Sequence, residues 1–325
     1  MFHLPFPPGE SPDIDAARQR SLAWCRKQRL VAHPTDEQRF LRWDIAGLMA
    51  AWCPRASQDP LDLTVDAVVV ATFLDDQIDG PLADRPDQVG DVCQDFTEVI
   101  SSGGRAPAGA APLITACAHV WKRLAEGSAP DWLERTGQHW QWYLDAYTRE
   151  ARNRAHGRVP TSTEYFALRR RSGFVYAMLD LSQKAYGFEL PHHLHGHPVL
   201  RRMLDITVDV VDTLNDVHSV EKEESRGDLH NLVLVLEHER GCDRPAGIRA
   251  IQQMITSWYL EFLALEQQAF ADLSGQDVET AGRWVDCMRT AMSGYLHWSR
   301  TCLRYSQLVP PGEPALVADL VQRRH

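Results

Sequence analysis

The sequence predicts one all-α domain of ten or more helices, and three observations carry that expectation. Apolar residues recur at three- and four-residue spacing over segments too long to be strands. Prolines with Asp or Thr neighbours open these segments, and glycines or prolines close them. No alternating apolar–polar run with hairpin signals intervenes, and no repeat at solenoid spacing appears.

In chain order, the proline-punctuated residues 1–12 predict an extended lead-in to a single domain over 13–308, with a tail over 309–325. Asp13 or Asp15 caps a helix to about residue 30. Pro34-Thr35-Asp36 opens the next, with Phe40, Leu41, Trp43, Leu48 and Trp52 on its apolar side, ending before Pro54. Asp62 or Thr64 starts a helix that runs through an apolar stretch to Asp79 and stops at Gly80-Pro81. Helices over about 85–101, 111–126 and 130–154 follow. The segment 161–187 reads as one helix with Gly173 inside it, and 198–224, 228–240, 244–273 and 276–307 complete the set. Many of these helices are strongly apolar, as in a bundle with a buried centre.

Composition limits the function classes. At 44% apolar and 24% charged residues, the 325-residue chain can bury a large core. A formal net charge of −10 and the lack of a basic recognition helix argue against a nucleic-acid binder. Seven scattered cysteines without a CxxC pair predict buried thiols in a reducing compartment. The first ten residues lack a basic n-region and an apolar h-region, and the run 67–74 is far short of the roughly 20 residues of a membrane helix. A cytoplasmic protein without membrane insertion is the expectation.

Chemistry concentrates in Asn215-Asp216-Val217-His218-Ser219-Val220-Glu221-Lys222-Glu223. On a helix, residues four apart share a face, so Asn215, Ser219 and Glu223 form an oxygen-bearing stripe. An amide oxygen, a hydroxyl and a carboxylate are hard donors that suit Mg²⁺, and Lys222 beside them reaches a phosphate as a point charge. The alternative for this stretch is an exposed polar face. Asp75, Asp76 and Asp79 end an apolar helix, where three carboxylates oppose the helix dipole and one another unless a cation joins them. A solvated helix end is the alternative there. Arg169-Arg170-Arg171-Ser172-Gly173-Phe174 offers a guanidinium to a phosphate, with Gly173 weakening the helix, or else reads as a solvated basic turn. Arg304-Tyr305 follows Trp298 near the end and means nothing alone. His192, His193, His195 and His197 read as a solvated interhelical loop. Asp205, Asp209, Asp212 and Asp216 form an acidic stripe, either a surface feature or support for the metal helix.

Together, Asp75-Asp76-x-x-Asp79, Arg169 with Gly173, Asn215-Asp216-x-x-Ser219-x-x-Lys222-Glu223 and Arg304-Tyr305 resemble a bacterial class I terpene synthase in order and spacing, over nearly the whole chain. The resemblance implies an α-helical barrel around a deep apolar cavity. Three Mg²⁺ ions (or Mn²⁺ in their place) would hold a linear prenyl diphosphate at its mouth. It assigns metal binding to Asp75, Asp76, Asp79, Asn215, Ser219 and Glu223. Arg169 becomes the diphosphate sensor, Ser172 the linker and Gly173 the effector carbonyl, while Lys222, Arg304 and Tyr305 grip diphosphate. Trp298, Phe174, Phe73 and Trp52 are the candidates for aromatic cavity lining. Ala71 and Thr72 stand where many relatives carry aromatics, and Ser172 stands where several carry an acid. The implied activity is a lyase that cyclises farnesyl diphosphate to a sesquiterpene, with geranyl or geranylgeranyl diphosphate as the alternatives. An inactive prenyl-diphosphate-binding protein is the rival from another class. The resemblance is compatible with a homodimer. A chain-elongating prenyl transferase would carry a second aspartate-rich motif in place of Asn215, Ser219 and Glu223.

Overall fold

The computed structural model describes residues 2–9, 11–83, 85–305 and 320–321. Among them every regular element is helical. In chain order these are α1 (Ile14–Lys27), α2 (Pro34–Trp43), α3 (Ile45–Trp52), α4 (Gln58–Asp79), α5 (Pro86–Ser101), α6 (Pro112–Ala125) and α7 (Pro130–Ala155). Then come α8 (Ser162–Ser172), α9 (Val175–Ala185), α10 (His192–His195), α11 (Pro198–Ser225), α12 (Leu232–Arg240), α13 (Arg244–Asp272) and α14 (Gln276–Thr301).

Two segments expected to be continuous are broken, each for a local reason. The segment 34–53 divides at Asp44, which takes the left-handed conformation (φ 51°, ψ 47°). An Asp tolerates that region because its short side chain bonds locally. Here its carboxylate caps α3 through the Gly47 N–H at 3.1 Å and accepts two bonds from Arg18 at 2.8 and 2.7 Å. Gly47 has to be glycine, since a Cβ there would lie 2.2 Å from Asp44 Oδ2. The segment 161–187 divides at Gly173-Phe174, where Phe174 takes φ 63°. Thr161 and Glu164 form a capping box that opens α8.

Other boundaries move by a few residues. α4 begins at Gln58, not at Asp62 or Thr64, with Pro60 accommodated in its first turn. Asp62 instead accepts bonds from Arg20 at 2.6 and 2.9 Å. α12 begins at Leu232, after a turn in which Asp228 accepts from the His230 N–H and Asn231 caps the helix. The last helix ends at Thr301, and residues 306–307 of the expected element lie outside the described residues. The histidine-rich segment forms the single turn α10, with Leu194 buried, in place of a loop.

The core lies where α4, α9, α11 and α14 meet. α4 is buried on nearly all sides between α3, α6 and α9, and α14 packs on α3 and α11. Asp66, buried in α4, is held by Arg123 at 2.5 Å. The lead-in packs on the domain, with Leu4 buried and Phe6 edge-on to Phe262 at 5.7 Å. Of the tail 309–325, Leu320 and Val321 are described. Both are buried, and the Leu320 N–H donates to Gln77 Oε1 at 3.3 Å. All seven cysteines are free thiols, six of them buried. No helix among the described residues is long and apolar enough to cross a membrane.

Candidate active site

One cavity opens between the C-terminal ends of α4 and α11, the middle of α7, the α8–α9 break and the end of α14. The structure brings to its wall Asp75, Asp79, Arg169, Ser172, Gly173, Phe174, Asn215, Lys222, Glu223, Trp298, Arg304 and Tyr305. These come from separate stretches of chain up to 230 residues apart (75 to 305).

Four predicted residues lie elsewhere. Trp52 is fully buried at the closed end of α3, where its indole N–H donates to Ser182 Oγ at 2.9 Å. Phe73 packs against Trp43 and Phe40 with centroids at 5.5 and 5.9 Å. Val68, Ala71, Thr72, Asp75 and Asp79 set the cavity face of α4, and Phe73 is turned about 100° from Thr72. The expectation that Trp52 and Phe73 line the cavity is thus corrected. Asp76 turns behind the wall toward Arg226, 3.8 Å away. Ser219 is buried on α11 and donates to the Asn215 carbonyl one turn back at 2.9 Å.

The acidic side chains are held by basic partners. Asp75 accepts from Tyr147 Oη at 2.8 Å and from Arg304 at 3.1 Å. Asp79 accepts from Arg154 at 2.9 Å. From α8, Arg169 donates to Asn215 Oδ1 on α11 at 2.7 Å and to Asp216 Oδ1 at 3.1 Å. The Asn215 amide in turn donates to Tyr295 and Tyr305, each at 2.8 Å. Arg304 stacks over Trp43 at 4.5 Å. Arg304-Tyr305 therefore bridges the two walls, one residue on Asp75 and the next on Asn215.

Burial raises the Asp75 carboxyl, but Arg304, Lys222, Tyr147 and Arg169 together outweigh it and hold it below the usual range. The other acids go the opposite way. Asp79 is pushed up to about 7 by burial and by Asp75 and Asp228. Glu223 is pushed up to about 8 by burial, Asp216 and Asp228, and Glu150 to about 8 by burial and Asp228. Asp212 rises to about 8 by burial, against the pull of Arg169. Burial lowers Lys222, with Arg304 and Arg226 adding to it. The site thus holds more buried acid than its bases neutralise, a surplus that divalent cations would offset.

The donors fit such ions. Asn215 Oδ1, Ser219 Oγ and Glu223 are hard oxygens on one helix face, and the Glu223 carboxylate is steadied by Asn231 at 2.8 Å. Among the described residues, no group of three His, Cys, Asp or Glu side chains is placed to hold a metal unaided. The site relies on mixed amide, hydroxyl and carboxylate oxygens instead.

Sequence reasoning missed the α7 contribution: Tyr143, Tyr147 and Glu150 line the cavity at i, i+4 and i+7. That spacing was readable, but it is equally the pattern of a core-facing helix stripe. Tyr295, Asp228 and His230 also line it. Of the acidic stripe, Asp209, Asp212 and Asp216 are buried, so it is not a surface feature. Arg170 grips Asp209 at 2.7 and 2.8 Å.

Comparison with known proteins gives a consistent family. The model described as terpene synthase family 2, C-terminal metal binding, matches residues 66–261. Pentalenene synthase of Streptomyces exfoliatus is 32% identical, covering 94% of this chain and 92% of its own. Isoafricanol synthase of Streptomyces violaceusniger is 35% identical, over 94% of this chain and 84% of its own. Among solved structures, a cucumene synthase variant superposes with TM-score 0.84 at 31% identity, covering 94% of this chain and all of that one (100%). An α-eudesmol synthase gives TM-score 0.83 at 30% identity, covering 93% and 99%.

Proposed function

The chain belongs to the bacterial class I terpene synthase family, and on that premise we propose that it is a Mg²⁺-dependent cyclase of farnesyl diphosphate. Its product is a cyclic sesquiterpene hydrocarbon or alcohol. The single observation that carries the reading is the convergence on one cavity wall of Asp75, Asn215 and Glu223 with Arg169, Lys222, Arg304 and Tyr305. Farnesyl diphosphate as substrate is supported by a relative 30% identical over 94% of this chain, named 7-epi-alpha-eudesmol synthase ((2E,6E)-farnesyl diphosphate cyclizing), of Streptomyces viridochromogenes.

Asn215, Ser219 and Glu223 would hold one magnesium ion, and Asp75, with Asp76 and Asp79 in support, the other two. Bound there, magnesium supplies Lewis-acid stabilisation of the charge that develops on departing diphosphate. Arg169, Lys222, Arg304 and Tyr305 bind the diphosphate oxygens from both sides of the cavity mouth. The allylic carbon–oxygen bond then breaks with its electron pair leaving on diphosphate. Below the mouth the wall turns apolar, with Ile45, Leu48, Val68, Val175, Met178 and Val211. These side chains exclude the water that would quench the allylic cation. Tyr143, Phe174, Tyr295 and Trp298 present aromatic rings to it, each worth about 0.5–2 kcal/mol to a desolvated cation. Cyclisation ends when the cation loses a proton or captures water.

The test incubates purified protein with geranyl, farnesyl and geranylgeranyl diphosphate separately, with and without Mg²⁺, followed by gas chromatography–mass spectrometry. A cyclic C15 product, absent without metal and absent in Asp75→Ala and Asn215→Ala, is the expected result. A cyclic product from another chain length corrects the substrate. Inert mixtures throughout would overturn the enzymatic reading.

A further inference from the structure

The α8–α9 break contains a contact that metal and diphosphate binding leave unexplained. Gly173 has φ −70° and ψ −9°, values open to any residue. Backbone freedom is therefore not why glycine stands there. A Cβ at Gly173 would fall 1.8 Å from Asp212 Oδ1 and 2.5 Å from its Cγ. The carboxyl of Asp212 fills the space that a side chain would take. Phe174, the next residue, carries the strain, with φ 63°, which costs an L-residue roughly 1–2 kcal/mol. Its ring enters the cavity wall, 4.7 Å from Tyr143 and 4.8 Å from Trp140.

Asp212 itself is only 3% exposed, and its Oδ2 has no hydrogen-bond partner. A buried carboxyl oxygen without a partner is costly, and a second state of the site that partners it would account for its place there. Arg169 is the foremost charge favouring the ionised form of Asp212. In this structure Arg169 occupies Asn215 Oδ1, the oxygen assigned above to a metal ion.

We propose that Asp212 is a positioning residue: packed against Gly173, it joins α11 to the α8–α9 break, and its free oxygen receives Arg169 when Asn215 turns to a cation. The first half rests on packing alone, and the second rests on the function proposed above. Asp212 thereby sets where the Arg169 guanidinium and the Phe174 ring stand relative to the Asn215–Glu223 face. Ser172, the neighbour of Gly173 in sequence, lies by Glu150, whose ionised carboxyl its hydroxyl favours.

Two measurements test this. The first needs no substrate: thermal melting of Gly173→Ala, Asp212→Ala and the double variant. Gly173→Ala alone is expected to melt about 2–5 °C lower through overpacking. In the double variant that loss disappears, because the carboxyl is gone, and it melts within about 1 °C of Asp212→Ala. Additive losses would overturn the contact. The second is calorimetric titration of inorganic diphosphate with Mg²⁺ into wild type and Asp212→Asn, an isosteric change that keeps the packing. Binding about tenfold weaker, with melting not lowered, is expected where the carboxylate receives Arg169. Equal binding by the two proteins would reduce Asp212 to a space-filler. Where wild type binds no diphosphate, the proposed function fails with the second half, while the melting cycle still decides the first.

Discussion

The buried acids of the cavity predict an unusual pH dependence of the metal-free protein. Glu150, Glu223 and Asp212 are each pushed up to about 8, and Asp79 to about 7. In the unfolded chain the same groups ionise near 4. Between about pH 4 and 8 the native state therefore binds more protons than the unfolded state, and stability falls as pH rises. The stabilisation is fully present below the unfolded values and is lost as pH passes through the native ones. Histidines act in the opposite sense. Burial lowers His195 and His230 to about 4, so their cost fades by about pH 7.

The window from pH 6.5 to 8 isolates the acids. Each proton held only by the native state contributes a slope of about 1.4 kcal/mol per pH unit. For a chain of 325 residues, 1 kcal/mol moves the Tm by roughly 1.5 °C. One group thus gives about 2 °C per pH unit, and all three of the highest about 6 °C. The assay is differential scanning calorimetry in chelator from pH 6.5 to 8, on wild type and Glu150→Gln. Glu150 serves as the probe because it lines the cavity without being assigned to a metal or to diphosphate. Tm should fall with pH in wild type, and the slope should shrink by about 2 °C per unit in the variant. A Tm that is flat or rising across this window would refute the claim that these carboxyls are held protonated by burial.

Three further outcomes are expected. Trp52→Ala removes a fully buried indole and should cost about 3–5 kcal/mol by denaturant melting, while the folded fraction keeps its product pattern because Trp52 lies outside the cavity wall. Asp44→Ala loses the α3 cap, the Arg18 fork and tolerance of φ 51°, and should lower stability by about 2–3 kcal/mol in the same assay. Phe174→Leu keeps bulk but removes a ring face, so turnover measured by product accumulation should fall about 2- to 30-fold, with a changed product ratio.

The helical class and both helices that carry the candidate metal ligands were legible because their signals are local. A stripe at i, i+4 and i+8 needs no tertiary information, and apolar periodicity marks a helix wherever it packs. What failed was phase. α3 and the middle of α4 are buried on all sides, so no polar face tells which aromatic looks into a cavity and which into the core. Trp52 and Phe73 were misplaced for that reason. The breaks at Asp44 and Phe174 escaped because each depends on a partner distant in sequence. Arg18 reaches Asp44 from α1, and Asp212 reaches Gly173 from α11. Arg304 and Tyr305 are an ordinary dipeptide until the fold sets them on Asp75 and Asn215.

The arginines suit one cavity to positive and negative ligands together. Asp75 is paired with Arg304, Asp79 with Arg154, and Asn215 with Arg169. A guanidinium cannot shed its proton, so the basic half of each pair keeps its charge at any pH the fold survives. A cation taken up alone would strip Arg304 of its counter-charge, and that side chain is only 8% exposed with one nitrogen already unpartnered. A diphosphate taken up alone would meet Asp75, Asp79 and Glu223 without relief. When both arrive, carboxylates pass to the cations and guanidiniums to the diphosphate, and no buried charge is left unpaired. Under the proposed function, metal and diphosphate therefore bind with positive coupling, each raising the affinity for the other. Arg304 holds Asp75 and Tyr305 holds Asn215 across the mouth, and under the proposed function they would exchange these partners only when both ligands have bound. On that reading ionisation would be tied to a mouth that is already bridged, which is the order a water-sensitive cation requires.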